Sequence, residues 1–226
     1  MRVNEKNILV LASNSPRRRQ LLALGNWDFK VIAADVDETQ LDGETPRDYV
    51  LRLAQAKALA TQPRAESEAV IIGSDTTVVV DDSILGKPAN EEDAERMLKQ
   101  LRGRKHQVYT GIALYRVRDG KMLTELSITD VPMRNYSDAE IRAYINSGDP
   151  MDKAGAYAIQ HPDFQPVHSM QGCYAGVMGL SMCHVLRALK KFEISPAADV
   201  PAACQTLLNY HCQVSSAILR GESPSP

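Results

Sequence analysis

The chain has 226 residues, 44% of them hydrophobic and 24% charged, with a formal net charge of -2. That length suits one large globular domain or two small ones, and the near-neutral balance with only 5% aromatic residues excludes a basic, ring-rich strand binder, so no nucleic-acid partner is expected. No run approaches the roughly 20 apolar residues of a spanning helix, and the apolar run after Lys6 is too short for a signal-peptide core, so no membrane is expected and the reading is cytoplasmic.

The first element is "NILVLAS" (7–13), read as a buried strand. Ser15 and Pro16 then read as the N-cap and first residue of a helix that stops near Gly25. Arg17, Arg18 and Arg19 fall in its first turn, where exposed amides carry partial positive charge and favour acidic side chains. "FKVIAADVDET" (29–39) reads as a second strand entering an acidic loop. Thr45-Pro46 opens a helix whose apolar stripe runs Tyr49, Val50, Leu53, Ala54, with Lys57 next on it; snorkelling at the stripe's edge is the plainer account of that lysine.

"AVIIGSDTTVVVDD" (69–82) reads as a central strand or strand pair. Asn90 caps a helix with Glu91, Glu92 and Asp93 in its first turn and Gly103 beyond its end, the charge pattern that the arginine helix lacks. "HQVYTGIALYRV" and "MLTELSITDVPM" alternate around "RDGK" as a long hairpin. "SDAEIRAYINSG" (137–148) carries a capping box. "AGAYAIQ" and "PVHSMQG" read as short strands, and "LSMCHVLRALKKF" (180–192) as a helix.

Past Glu193 the character changes. Residues 1–194 read as one domain, and 195–226 as a C-terminal extension: a linker-like "SPAADVP", one amphipathic helix over 202–219 and a disordered "GESPSP" tail. Cys173, Cys183, Cys204 and Cys212 form no C-x-x-C pair and read as reduced thiols, and neither Cys183-His184 nor His211-Cys212 matches a common zinc spacing. The alternation of helices and strands around a hairpin predicts an α/β fold with a mixed, twisted sheet.

Several residues sit where structure alone has no use for them. Arg17 and Arg18 beside free helix amides make an anion site, with Ser13 and Ser15 in the preceding turn; Arg19 reads as solvated. Asp75 puts a carboxylate inside an apolar run, and burying it unpaired costs several kcal/mol. It calls for a metal ion or cationic partner, unless it turns between two strands with Ser74 and Thr76 as hydrogen-bond partners; Gly73 would let a ligand come close. Glu38 gains interest because polyphosphates travel with Mg²⁺, which takes few carboxylate oxygens and could be shared with Asp75. Lys87, Asp152, Lys153 and Gln160 each read singly as surface-loop residues, although Lys87 could clamp phosphate and the Gln160 amide could read a base edge.

"LASNSPRRRQLL", "DVDET", "RLAQAKA", "GSDTTVVVDDSILGKP", "LRGRKHQVYTGIAL" and "GDPMDKAGAYAIQ", in that order, together resemble the Maf family of nucleoside triphosphate pyrophosphatases over residues 7–192. The resemblance implies a long mixed sheet flanked by helices, two lobes around a central cleft and a homodimer. It implies cleavage of a nucleoside triphosphate between the α and β phosphates with a divalent metal, Mg²⁺ or Mn²⁺. It gives Asp75, Glu38, Lys57 and Lys87 catalytic roles, with Asp75 and Glu38 on the metal, and gives Ser13, Arg17, Arg18 and Gln160 to substrate binding. "KAGAYAIQ" with "GKP" resembles the dTTP/UTP branch; the alternatives are the 7-methyl-GTP branch, which has glutamate where Gln160 stands, or a non-catalytic nucleotide-binding regulator of cell division. "QHPDFQPVHSMQGCYAGVMGLS" departs from the family's glycine-rich "QGLGA" turn and "YxNVVGLP" stretch, close to the implied base pocket.

Overall fold

The computed structural model describes residues 8–33 and 35–222. Strand β1 (Ile8–Leu11) leads into helix α1 (Pro16–Ala23) and then β2 (Phe29–Val31). Helix α2 (Pro46–Thr61) precedes the long β3 (Ala69–Val80), which turns back through β4 (Ser83–Leu85). After α3 (Glu91–Leu101) come β5 (Lys105–Arg116) and β6 (Lys121–Pro132). Helices α4 (Asp138–Asn146), α5 (Tyr174–Val177), α6 (Met182–Lys190), α7 (Val200–Leu208) and α8 (Ser215–Arg220) complete the described chain.

The strands form one mixed sheet in the order β2-β1-β3-β5-β6, with β4 paired to β3. β1 runs parallel to β2 and β3, while β3, β5 and β6 form an antiparallel meander. Helices cover both faces. One face packs against α2 through Val10, Ile71, Ala54, Ala58 and Ala113. The other buries Leu9, Ile72, Leu98, Leu114 and Leu189 in the larger core. β3 is buried at nearly every position because it is central and covered on both sides, which is why its sequence shows an apolar run rather than alternation.

Gly73 and Gly111 fix how α2 sits. A Cβ on Gly73 would lie 2.1 Å from the Ala54 carbonyl oxygen, and one on Gly111 would lie 2.3 Å from that of Val50. Gly73 therefore admits a helix and not a ligand, which corrects the expectation from sequence. The close approach seats Lys57 directly over the sheet.

The structure departs from the sequence reading at several points. Of the two readings of residues 69–82 the single strand holds, as Ala69–Val80, and the reversal comes at Asp81 and Asp82, both in the left-handed region. The expected strand over 29–39 stops at Val31, since β1 offers it pairing only from Leu9 to Leu11. "AGAYAIQ" is no strand: Gly155 (φ 67°) and Ala156 (φ 57°) are successive left-handed residues that coil the chain. "PVHSMQG" (166–172) is irregular. The single helix over 202–219 is two short ones, broken at Asn209 (φ 46°).

Residues 195–222 pack against the elements that precede them. Val200 and Ile218 are buried, Trp27 Nε1 donates to the Ser195 carbonyl at 3.0 Å, and Arg187 Nη1 donates to that of Ile218 at 2.9 Å. Cys204 and Cys212 of this segment line one small cavity with Cys173 and Cys183; all four thiols are free. The last four residues of the expected disordered tail lie outside the described residues. Among the described residues no helix is long and apolar enough to cross a membrane.

Candidate active site

β3 is longer than its neighbours on one side, and the mismatch creates the site. Along one edge it pairs with β5 from Val70 to Val79. Along the other, β1 covers it from Ala69 to Ile72 and β4 from Val78 to Val80. Residues 73–77 carry no strand on that side. The gap lies just beyond the carboxyl end of β1 where α1 begins, the position at which open α/β sheets bind ligands. It opens into a cleft of about 500 Å³, in the range of small-molecule sites. Ser13, Arg17, Arg18, Glu38, Lys57, Asp75, Lys87 and Gln160 all line it.

Lys57 lies at the centre. Its ammonium is 2.6 Å from Asp75 Oδ1 and 2.7 Å from Glu38 Oε1. Lys57 and Asp75 are only 8% and 7% exposed, so the lysine at the stripe's edge is a buried ion-pair partner, not a snorkelling side chain. This is the compensation that Asp75 required. Ser74 and Thr76 do not supply it, because neighbours along a strand point to opposite faces. Ser74 donates to carbonyls of Gly111 and Gly179 on the far face, and Thr76 engages Arg18 and Thr110 there. Asp75 Oδ2 has no hydrogen-bond partner among the described residues.

Glu38 projects from an exposed loop held by Tyr49, whose hydroxyl donates to the Glu38 carbonyl at 2.9 Å. Partial burial pushes the Glu38 carboxyl up, but the Lys57 hydrogen bond and charge, with Lys87 and Arg18, outweigh it and hold it below its ordinary value. Burial raises the Tyr49 phenol to about 12, helped by the charges of Asp75 and Glu38.

The arginine cluster divides as its helical spacing requires. Ser15 caps α1 as expected, its hydroxyl taking the Arg18 N–H. Arg18 turns inward: Nε donates to the Gly179 carbonyl at 2.9 Å, Nη1 to Ser13 Oγ at 3.2 Å and Nη2 to Thr76 Oγ1 at 3.3 Å. Its burial lowers the guanidinium pKa, with Asp75 pulling the other way. Arg17 lines the cleft with no side-chain partner among the described residues, and Arg19 is exposed. Two arginines, a lysine and the first amides of α1 thus surround two carboxylates, an arrangement suited to a polyanion accompanied by a cation.

Lys87 and Gln160 are exposed at the rim of the cleft. Lys153, read from sequence as a surface-loop residue, is 9% exposed and ion-paired with Asp149 at 3.0 Å and Asp152 at 2.6 Å. The far-face partners of Arg18 went unread. Thr110 donates to the Gly176 carbonyl at 2.8 Å and lies 2.9 Å from Thr76 Oγ1, joining β3, β5 and the α5–α6 segment behind the guanidinium. Thr76 could have been found from strand alternation, whereas Thr110 required the strand register and Gly179 the packing of the α5–α6 connection against β3.

Residues 8–192 match the family model described as Maf-like protein. A dTTP/UTP pyrophosphatase of Geotalea uraniireducens (strain Rf4) is 48% identical over 187 residues, covering 82% of this chain and 95% of the relative. A dTTP/UTP pyrophosphatase of Geobacter sulfurreducens is 46% identical over 188 residues, covering 83% of this chain and 97% of the relative. A solved structure of the Staphylococcus aureus Ham1 protein aligns at 18% identity and a TM-score of 0.48, covering 83% of this chain and 100% of that one. The chain belongs to the Maf-like protein family.

Proposed function

We propose that this member of the Maf-like family is a nucleoside triphosphate pyrophosphatase that converts dTTP and UTP to the monophosphate and pyrophosphate. The names of its relatives support the reaction and the substrates. The observation that carries the assignment to this cleft is the buried Lys57 bridging Asp75 and Glu38 at 2.6 and 2.7 Å opposite Arg17 and Arg18. A protein that merely held nucleotide would need the cations but not the two carboxylates among them.

The donor chemistry fits Mg²⁺ or Mn²⁺. Asp75 and Glu38 offer hard carboxylate oxygens within reach of one ammonium. No group of three or more His, Cys, Asp or Glu gathers to hold a metal among the described residues. An ion here would therefore take its remaining ligands from triphosphate and water, as Mg²⁺ commonly does. Asp75 and Glu38 would hold it, and when bound it supplies charge neutralisation and a lowered pKa for water.

The side chains divide the rest of the work. Ser13, Arg17 and Arg18 hold phosphate oxygens at the start of α1. Lys57 and Lys87 neutralise the charge that develops on the leaving pyrophosphate. Asp75 Oδ1 stays with Lys57, which leaves Oδ2, unbonded at the cleft, to face the ion; the proton of the attacking water goes to one of the two carboxylates, Asp75 or Glu38. Glu38, held below its ordinary value by Lys57, stays ionised and serves as a ligand. Gln160 presents both an amide donor and an acceptor, which complement the carbonyl and N–H along one edge of uracil or thymine.

The test is turnover of a nucleotide panel with Mg²⁺ or Mn²⁺ in ¹⁸O-water. UTP and dTTP are expected to give monophosphate carrying the label together with unlabelled pyrophosphate. Orthophosphate with diphosphate, or label on pyrophosphate, would overturn attack at the α-phosphorus. Tight nucleotide binding without turnover would leave only the regulator.

A further inference from the structure

Gln160 is exposed and has no side-chain hydrogen bond among the described residues, yet a residue that distinguishes bases must be held still. Its position is set through backbone. Ala158 to His161 form a tight turn closed by the His161 N–H on the Ala158 carbonyl at 3.2 Å, with Gln160 third in it. Both flanks of this turn rest on one buried residue of α4. On the entering side, the Ala158 N–H donates to the Tyr144 hydroxyl at 2.9 Å. On the leaving side, the His161 ring meets the Tyr144 ring edge-on with centroids 4.8 Å apart. Phe164 stacks on the same ring at 4.2 Å and 10°, and its N–H donates to His161 Nδ1 at 3.0 Å.

The phenol is itself fixed. Tyr144 donates to Asp149 Oδ2 at 2.6 Å, and Asp149 Oδ1 accepts from Lys153, which lines the cleft, at 3.0 Å. Donor and acceptor roles are all consistent: amide to phenol, phenol to carboxylate, ammonium to carboxylate. Burial, with the hydrogen bond and charge of Asp149, pushes the phenol up, so it stays a donor. His161 and Phe164 belong to "QHPDF", where the chain leaves the family's glycine-rich pattern. Through this segment two rings pack on Tyr144.

We infer that Tyr144 is the positioning residue for base recognition, fixing the Ala158–His161 turn so that Gln160 meets the base in one orientation. The inference rests on the reading of Gln160 as the base-contacting residue. Tyr144 touches neither the base nor the phosphates and acts through the turn. Losing its hydroxyl frees one buried amide and leaves the ring stack in place, so base selectivity should loosen while the charged end of the cleft stays assembled.

The experiment measures kcat and KM for UTP and GTP on the wild type, Tyr144→Phe, Gln160→Ala and the double variant. In Tyr144→Phe the UTP-over-GTP ratio of kcat/KM is expected to fall about 2- to 10-fold, the range of one net hydrogen bond, with the change carried by KM for UTP. In the double variant the ratio should equal that of Gln160→Ala alone, a non-additivity that a purely structural role would not produce. A Gln160→Ala ratio equal to wild type would remove Gln160 from base recognition. A shift in Gln160→Ala with none in Tyr144→Phe, or an equal loss for both nucleotides through kcat, would overturn the role of Tyr144 alone. Should Tyr144→Phe fail to fold, Asp149→Asn keeps the rings and weakens the acceptor of the phenol. It should move the ratio the same way by a smaller factor, and an unchanged ratio there overturns the inference.

Discussion

On the proposed function the cleft has a phosphate end and a base end, and the two are built by different means. At the phosphate end, charged side chains stand on regular elements: Arg17 and Arg18 on α1, Lys57 on α2 and Asp75 on β3. Their positions follow from the sheet gap and from two glycines that let α2 down onto the strands. At the base end, Gln160 stands in a turn between two irregular segments, and buried hydrogen bonds and stacked rings hold it. The first end puts charge where a polyanion needs it and tolerates only charge-conserving change. The second end sets orientation, and its alteration should redirect the enzyme rather than stop it.

The sharpest way to break this comparison is Asp75→Asn. The change keeps the side chain's shape and still accepts from Lys57, but removes the charge. Turnover of every nucleotide, measured well below the transition, is expected to fall at least about a hundredfold in kcat, and Tm is expected to fall as well because buried Lys57 loses a charged partner. Near-normal turnover would mean that Asp75 is only the structural partner of Lys57.

Gly73→Ala tests the frame instead of the chemistry. The new methyl would lie 2.1 Å from the Ala54 carbonyl oxygen, backbone that moves only with α2. Overpacking of this kind costs about 1–3 kcal/mol, and lifting α2 draws Lys57 from Asp75. Calorimetry should show a lower Tm, and kcat should fall about tenfold, while the ranking of nucleotides stays as in the wild type. A changed ranking would show that the two ends are not independent.

At the other end, Gln160→Glu leaves an acceptor where a donor stood. The preference for UTP and dTTP over other bases is expected to fall about tenfold through KM, with kcat nearly preserved. An unchanged ranking would place base recognition elsewhere in the cleft.

The same division explains what could be read in advance. The arginine run, the lysine on an apolar stripe and the carboxylate inside a strand each violate a local rule, and each violation marks a residue of the phosphate end. A local rule could not supply their partners. The Lys57–Asp75 pair depends on how closely α2 approaches β3, and that is set by Gly73 and Gly111, from two strands 38 residues apart in number. The sheet was legible in its long strands and missed in its short ones, where pairing partners and not propensity decide the length. The base end gave almost no signal. "AGAYAIQ" has the composition of a strand, and only the left-handed pair Gly155–Ala156 and the register of Tyr144 on Ala158 make it a turn. Lys153 looked like a loop lysine because its partners Asp149 and Asp152 are ordinary loop acids until the chain folds around them.

Acid separates the two ends by their titrating groups. Tyr157, which lines the base end, is held by His106: its hydroxyl lies 2.8 Å from His106 Nε2. Burial lowers His106 to about 4, against a small opposing pull from Asp130. Burial, aided by Arg187, also lowers His184 to about 4, with Glu125 pulling the other way. Both rings are neutral in the folded protein at pH values where the unfolded chain takes up a proton. Folding therefore loses nothing above pH about 6.5, and stability declines as the pH falls from there toward about 4, by up to roughly 3 kcal/mol for each histidine. Glu38 behaves differently. Its folded pKa lies below the ordinary value, so its pairing with Lys57 persists through that window and is lost only as the pH drops through the lowered pKa. Denaturant melts between pH 7 and 4.5 should show this decline, and His106→Gln should flatten it by the share of one ring. A stability that held level down to pH 5 would mean that neither histidine is kept neutral by the fold. The wall behind Tyr157 would then not be the part of the cleft that acid loosens first.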